Sequence, residues 1–147
     1  MAKKTSKFLV GALESCDLPD LGISNMPVRV DTGATTSSLH VDNIEEFEKD
    51  GKSWVRFDIH PDIHNVENIV TTTARLSSKK TVKSSTADKE RRAVIKTNFS
   101  LGDQTWKIKL TLTNRSTMSY LMLLGREAMQ DRIIVDPSVE FLASERI

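Results

Sequence analysis

The chain has 147 residues, 38% of them hydrophobic and 28% charged, which suits one globular domain with a core of its own and excludes a disordered or low-complexity chain. Its formal net charge is +1, so no general attraction to nucleic acid or to a membrane surface is built in. Cys16 is the single cysteine, which rules out an intrachain disulfide and a thiolate zinc cluster within one chain.

The N-terminus, Met1 to Lys7, is basic and polar, and the apolar stretch Phe8 to Leu13 is too short for a signal-peptide core. No run approaches the roughly 20 apolar residues that span a bilayer. The expectation is a cytoplasmic chain with no membrane partner. Phe8-Leu9-Val10 and Met26 to Val30 read as short strands, separated by the turn-rich Asp17-Leu18-Pro19-Asp20-Leu21-Gly22. Ser53 to His60 alternates roughly, and Ile69 to Leu76 is rich in threonine and valine, which favour strands. Ser77 to Arg92 differs: it holds Lys79, Lys80, Lys83, Lys89, Arg91 and Arg92 with few apolar residues, and reads as a polar loop or hairpin.

Ala93 to Thr113 carries the clearest hairpin signal. Val94, Ile95 and Phe99 precede Gly102-Asp103, after which Trp106, Ile108, Leu110 and Leu112 alternate with Lys107, Lys109 and Thr111. Tyr120 to Leu124 is a continuous apolar run, as in an interior strand. Gly125 to Gln130 is the helix candidate, and Arg132 to Val135 predicts a last strand before Asp136-Pro137. The fold class expected is mainly β, in a single domain over 1–147.

The residues with most chemical content are Val30-Asp31-Thr32-Gly33-Ala34-Thr35-Thr36. A carboxylate ends an apolar strand and is followed by hydroxyls and a glycine. Such a loop can present Asp31 outward, with Gly33 permitting close approach and Thr32 and Thr35 offering hydroxyls to the carboxylate. The same tripeptide also serves as a strand-ending Asx turn, in which the aspartate caps its own loop. Other chemistries find less support. There is no His-Glu-x-x-His pair and no Gly-x-x-x-x-Gly-Lys-Ser/Thr phosphate loop. His60 and His64 flank Pro61, which disfavours a helix that would put both on one face, and His40 is far from them in sequence. Cys16 beside Asp17 is a poor nucleophile, and no serine sits in a Gly-x-Ser-x-Gly elbow. No metal or other cofactor is expected.

A strand, Asp-Thr-Gly-Ala, and some ninety residues later an apolar run ending in Gly-Arg before a short helix resembles the layout of retropepsins, the single-domain aspartic peptidases. The chain is most similar to a bacterial retropepsin-like family often labelled ATP-dependent zinc protease. The similarity runs through Leu18 to Ile23, Val30 to His40, Arg91 to Thr97, Leu110 to Arg115, Met122 to Met129 and Val135-Asp136-Pro137. One departure is Thr35, where that family often carries a basic residue.

The resemblance implies a retropepsin-like barrel with one short C-terminal helix. It implies Asp31, Thr32 and Gly33 as the catalytic triplet and Gly125 and Arg126 as structural residues. It places 77–92 as a basic flap over the site, so that Ala34, Thr35, Lys79, Lys80 and Lys83 would meet substrate. With one Asp-Thr-Gly per chain, the second carboxylate would come from another copy in a homodimer. Members have been linked to trimming glutamate tails from a ribosomal protein, which fits an acidic peptide substrate. The alternative is a non-catalytic dimeric module that docks acidic protein or RNA on its basic loop. RNA is the less expected ligand, since no aromatics interleave the charges.

Overall fold

The computed structural model describes residues 7–61, 67–83, 89–114 and 120–144. The strands in chain order are β1 (Phe8–Val10), β2 (Leu13–Leu18), β3 (Ile23–Val30), β4 (Ser37–His40), β5 (Asp42–Lys49), β6 (Lys52–Ile59), β7 (Val70–Arg75), β8 (Ser78–Lys83), β9 (Lys89–Leu101), β10 (Gln104–Thr113), β11 (Met122–Leu124) and β12 (Ile133–Val135). A 3-10 turn at Pro19–Leu21 joins β2 to β3, and one helical turn, α1 (Arg126–Met129), precedes β12.

Six strands close into a barrel in the order β10-β4-β11-β3-β2-β9, with β9 pairing back onto β10. Closure leaves no free edge within the ring, and β8 extends from β9 as an outer arm. The alternation of apolar residues sets the inside. In β3, Ile23, Met26, Val28 and Val30 are buried; in β10, Trp106, Ile108, Leu110 and Leu112 are buried while Lys107 and Lys109 face water. Two-residue turns fix the registers. Leu101 pairs with Gln104 around Gly102, whose φ of 61° favours glycine. Lys49 pairs with Lys52 around Asp50-Gly51, both at positive φ (56° and 73°), which is the Asp-Gly hairpin turn.

The second sheet is the meander β5-β6-β7. It buries Val55, Phe57 and Ile59 in the same core as the barrel, while Phe47 stacks on Trp54 at its outer side. The sequence reading placed β6, β7, β9, β10, β11 and β12 close to their observed positions. It gave no strand to 37–49, which forms β4 and β5, assigned none to 13–16 and put 17–18 in a turn, whereas 13–18 is β2. The polar segment from Ser77 is not an open loop: β8 pairs antiparallel with β9 from Ser78↔Val94 to Lys83↔Lys89.

A buried carboxylate ties the chain ends together. Glu14 in β2 has no exposed surface and accepts hydrogen bonds from the backbone N–H of Gly11 (2.7 Å), Leu142 (3.0 Å), Ala143 (3.1 Å) and Ser144 (3.1 Å), and from the Ser144 hydroxyl (2.6 Å). A buried charge is tolerated where its acceptor sites are filled in this way. Glu14→Ala strands those donors, so stability should fall by about 2–4 kcal/mol. Urea denaturation checks this, and a change within about 0.5 kcal/mol would show that the Glu14 anchor is dispensable.

Candidate functional site

The parallel pairing of β11 with β3 sets Leu124 beside Val30 and brings the two ends of the motif pair together. Asp31 N–H donates to the Leu124 carbonyl at 2.9 Å as the chain leaves β3. Within the loop, Gly33 N–H donates to Asp31 Oδ1 at 2.9 Å, and Ala34 N–H to the Asp31 carbonyl at 3.2 Å. This is Asx-turn geometry. It occupies one carboxylate oxygen and leaves Oδ2 without a partner among the described residues. The Thr32 and Thr35 hydroxyls do not hold the carboxylate as the sequence led us to expect. Thr35 Oγ1 instead accepts a charge-assisted hydrogen bond from the Arg126 guanidinium.

The short helix clasps this loop from behind. The first N–H groups of a helix lack partners within it, and here Arg126 N–H finds the Ala34 carbonyl at 2.8 Å and Glu127 N–H the Thr35 carbonyl at 3.0 Å. The Arg126 guanidinium adds a fork, with Nη1 on the Thr32 carbonyl (2.8 Å) and Nη2 on Thr35 Oγ1 (2.9 Å). Gly125 N–H donates to Ser37 Oγ at 3.0 Å. A side chain at Gly125 would put Cβ 2.5 Å from the Thr36 backbone, so the close approach in this loop is made by Gly125. At Gly33 a Cβ would meet only Asp31 Oδ1, at 3.1 Å. Trp106 of the barrel fixes the other side of the helix by donating from Nε1 to the Ala128 carbonyl at 3.0 Å.

Beside the loop opens a cleft of about 480 Å³. Ala34, Thr35, Thr36 and Ser38 line it on the loop side and Lys80, Thr81, Val82 and Arg92 on the β8–β9 side, with Thr113 and Leu123 completing it. The expected grouping of Ala34, Thr35 and Lys80 is therefore present. Asp31, Thr32 and Gly33 lie next to the cleft rather than in its lining; Asp31 is half-buried and the other two are exposed. The expected basic residues part company. Lys79 reaches Glu46 of β5 at 2.9 Å, outside the cleft, and Lys80 faces Glu127 of α1 at 3.9 Å. Lys83 ends β8, and its side chain lies outside the described part of the structure. Arg92 is nine-tenths buried and lines the cleft, although in sequence it looked like one more charge of a solvated hairpin.

The remaining candidates have other duties. Asp136 accepts the N–H (3.0 Å) and hydroxyl (2.6 Å) of Ser138, and these bonds hold its carboxyl below the usual range. It caps its own turn. Burial first, and then the neighbouring Asp17, push the Cys16 thiol far up, so it stays protonated. His60 Nε2 lies 2.9 Å from Asp42 Oδ2, and His64 falls outside the described residues. Among the described residues no group of three or more His, Cys, Asp or Glu side chains could hold a metal, so the zinc of the family label has no donor set there. Among the described residues no helix is long and apolar enough to cross a membrane.

Residues 9–146 match the family model described as RimB-like, retropepsin-like aspartic endopeptidase RimB. A protein from Shewanella pealeana named probable alpha-L-glutamate ligase is 42% identical over 141 residues, which cover 96% of this chain and 31% of that protein. A protein of the same name from Desulfotalea psychrophila is 41% identical over 145 residues, covering 99% of this chain and 31% of its own length. This chain thus spans about a third of the curated relatives it matches. Among solved structures, a Legionella pneumophila protein of unknown function superposes with a TM-score of 0.80 at 32% identity, covering 94% of this chain and 99% of that one. The chain belongs to the RimB-like family of retropepsin-like aspartic endopeptidases.

The clasp makes a specific prediction. Arg126→Lys keeps the charge but cannot make both bonds of the fork. Losing one charge-assisted bond of about 1.5 kcal/mol should speed amide exchange at Gly33 and Ala34 roughly tenfold. Hydrogen exchange by NMR reads this directly, and unchanged protection would mean that the backbone bonds alone hold the loop.

Proposed function

We propose that this member of the RimB-like family is an aspartic endopeptidase that works as a homodimer, with Asp31 of each copy forming half of the catalytic pair and acidic peptide tails as substrate. The observation that carries the reading is the state of the Asp31 loop. It is fixed from behind by Leu124, Gly125 and Arg126, with one carboxylate oxygen anchored on Gly33 N–H and the other without a partner among the described residues. A carboxylate that must share a water with a second one needs this rigidity and one open oxygen.

Two carboxylates brought close cannot both ionise easily, so the pair holds one proton between them. The ionised member takes a proton from the shared water as its oxygen attacks the amide carbon. The protonated member donates to the carbonyl oxygen and later supplies the acid for the leaving amine. Asp136, the other aspartate near a candidate motif, is committed to Ser138, which supports a partner copy as the source of the second carboxylate. A two-fold interface meets that need because it pairs a surface with itself. Thr32 and Gly33 hold the carboxylate's loop, and Ala34 and Thr35 form the near wall of the peptide cleft.

Lys80 and Arg92 in the cleft favour an acidic peptide. So does the name of the curated relatives, which refers to glutamate chemistry in longer proteins. Those longer relatives also favour a second reading, in which this fold serves as a non-catalytic dimeric module that docks acidic protein.

Asp31→Asn separates the two readings. Each acid or base group contributes ~10²–10⁴-fold, and the substitution removes both members of the pair. Cleavage of glutamate-rich peptides should therefore vanish, while sedimentation still reports about twice the 16.5 kDa monomer mass. Wild-type turnover in Asp31→Asn would remove Asp31 from the chemistry, and a wild-type chain that never cleaves leaves the docking module.

A further inference from the structure

The hairpin wall of the cleft contains an arrangement that strand geometry disfavours. Lys80 of β8 and Arg92 of β9 are directly opposed across the antiparallel ladder, and both line the cleft. Like charges in that position repel. Arg92 is moreover 9% exposed, at which depth a cation is costly unless its donors are used. Two carboxylates offset part of this. Arg92 Nε donates to Glu90 Oε2 at 3.1 Å, and Lys80 lies 3.9 Å from Glu127. Glu90 is itself oriented by the Thr113 hydroxyl, which donates to its other oxygen at 3.4 Å.

Only one edge of the guanidinium is occupied. Among the described residues Arg92 bonds Glu90 through Nε alone, and the two terminal nitrogens, Nη1 and Nη2, have no partner. Glu90 thus orients the arginine without saturating it, much as a carboxylate behind a histidine leaves the far nitrogen to work. The unused end is a planar pair of donors, the geometry that matches a carboxylate bidentately. Lys79, by contrast, is spent on Glu46 outside the cleft.

We propose that Nη1 and Nη2 of Arg92, with Lys80 as the second cation, form a carboxylate-binding subsite in the cleft beside the Asp31 loop, and that this subsite rather than the lysines outside the cleft reads the acidity of a bound peptide. The assignment rests on the cleft being the peptide site. It does not depend on Asp31 being catalytic, so it is tested by binding. The carboxylate that the subsite reads is that of an acidic side chain, since a terminal carboxylate is common to every peptide.

The test is fluorescence anisotropy at low salt with labelled tetraglutamate and tetraglutamine, in the Asp31→Asn protein so that nothing is cleaved. Tetraglutamate should bind about tenfold or more tighter, and Arg92→Gln should bring the ratio close to one. Equal binding of the two peptides by the parent, or an unchanged ratio in Arg92→Gln, overturns the subsite. Glu90→Gln guards against a folding defect at Arg92. It keeps an acceptor to orient Arg92 Nε while removing the negative charge that opposes an incoming carboxylate, so the glutamate-to-glutamine ratio should rise several-fold; a ratio that stays level or falls counts against the proposal. Amidating the C-terminus of both peptides removes the one carboxylate they share, so the preference should survive; a preference that disappears overturns the subsite. Where Asp31→Asn shows this pattern and the wild-type chain cleaves nothing, the subsite stands and the peptidase reading falls.

Discussion

The site depends on one contact between segments more than ninety residues apart: α1 pressed against the Asp31 loop. Gly125 lies so close to Thr36 that a single added carbon would collide with its backbone, and Arg126 reaches past it to the Thr32 carbonyl and the Thr35 hydroxyl. The loop could not hold this shape by itself, since its internal bonds are limited to an Asx turn on Asp31 and one N–H to the Asp31 carbonyl. The barrel supplies the rest. β11 runs parallel to β3 and delivers Leu124 to the Asp31 amide, and Trp106 pins α1 through the Ala128 carbonyl. A carboxylate is thereby kept at a strand end with one oxygen unpaired among the described residues, which is more order than a surface turn requires.

The electrostatics of the β8–β9 arm are local rather than general. With a net charge of +1, the chain draws no ligand by its overall field. The hairpin also sits near acidic residues of its own, and Glu46, Glu90 and Glu127 each take up one of its cations. The exposed pairs, Lys79 with Glu46 and Lys80 with Glu127, contribute little to stability. Their effect is selective: Lys79 is drawn toward β5, while Lys80 and Arg92 remain in the cleft wall. In this arm, burial and pairing decide which cations are available, and a count of lysines does not.

Much of this was legible in the sequence because one-dimensional patterns carry it. Alternation from Trp106 to Leu112 and the Gly102 turn specify the β9–β10 hairpin, and the apolar run before Gly125-Arg126 gives β11 and α1. The misses have physical causes. β5 is acidic and exposed on nearly every residue, so it has no apolar period to find, although Asp50-Gly51 carried a turn signal strong enough to reveal it. β4 is short and begins with two serines that are buried because they pack under α1 and against β10, which the sequence read as loop. The loop triplet and the Gly125-Arg126 pair were each visible, but that the arginine holds the loop through Thr32 and Thr35 required the fold. Glu14 and Arg92 could not be recognised in advance, since burial of a charge depends on partners far along the chain.

The central claim is that two Asp31 carboxylates meet. A crystal structure of the assembled protein measures this without recourse to any assay. The account predicts a two-fold dimer in which one Asp31 from each copy lies within ~3 Å of a single shared water. Two Asp31 carboxylates separated by the width of a protomer would contradict it.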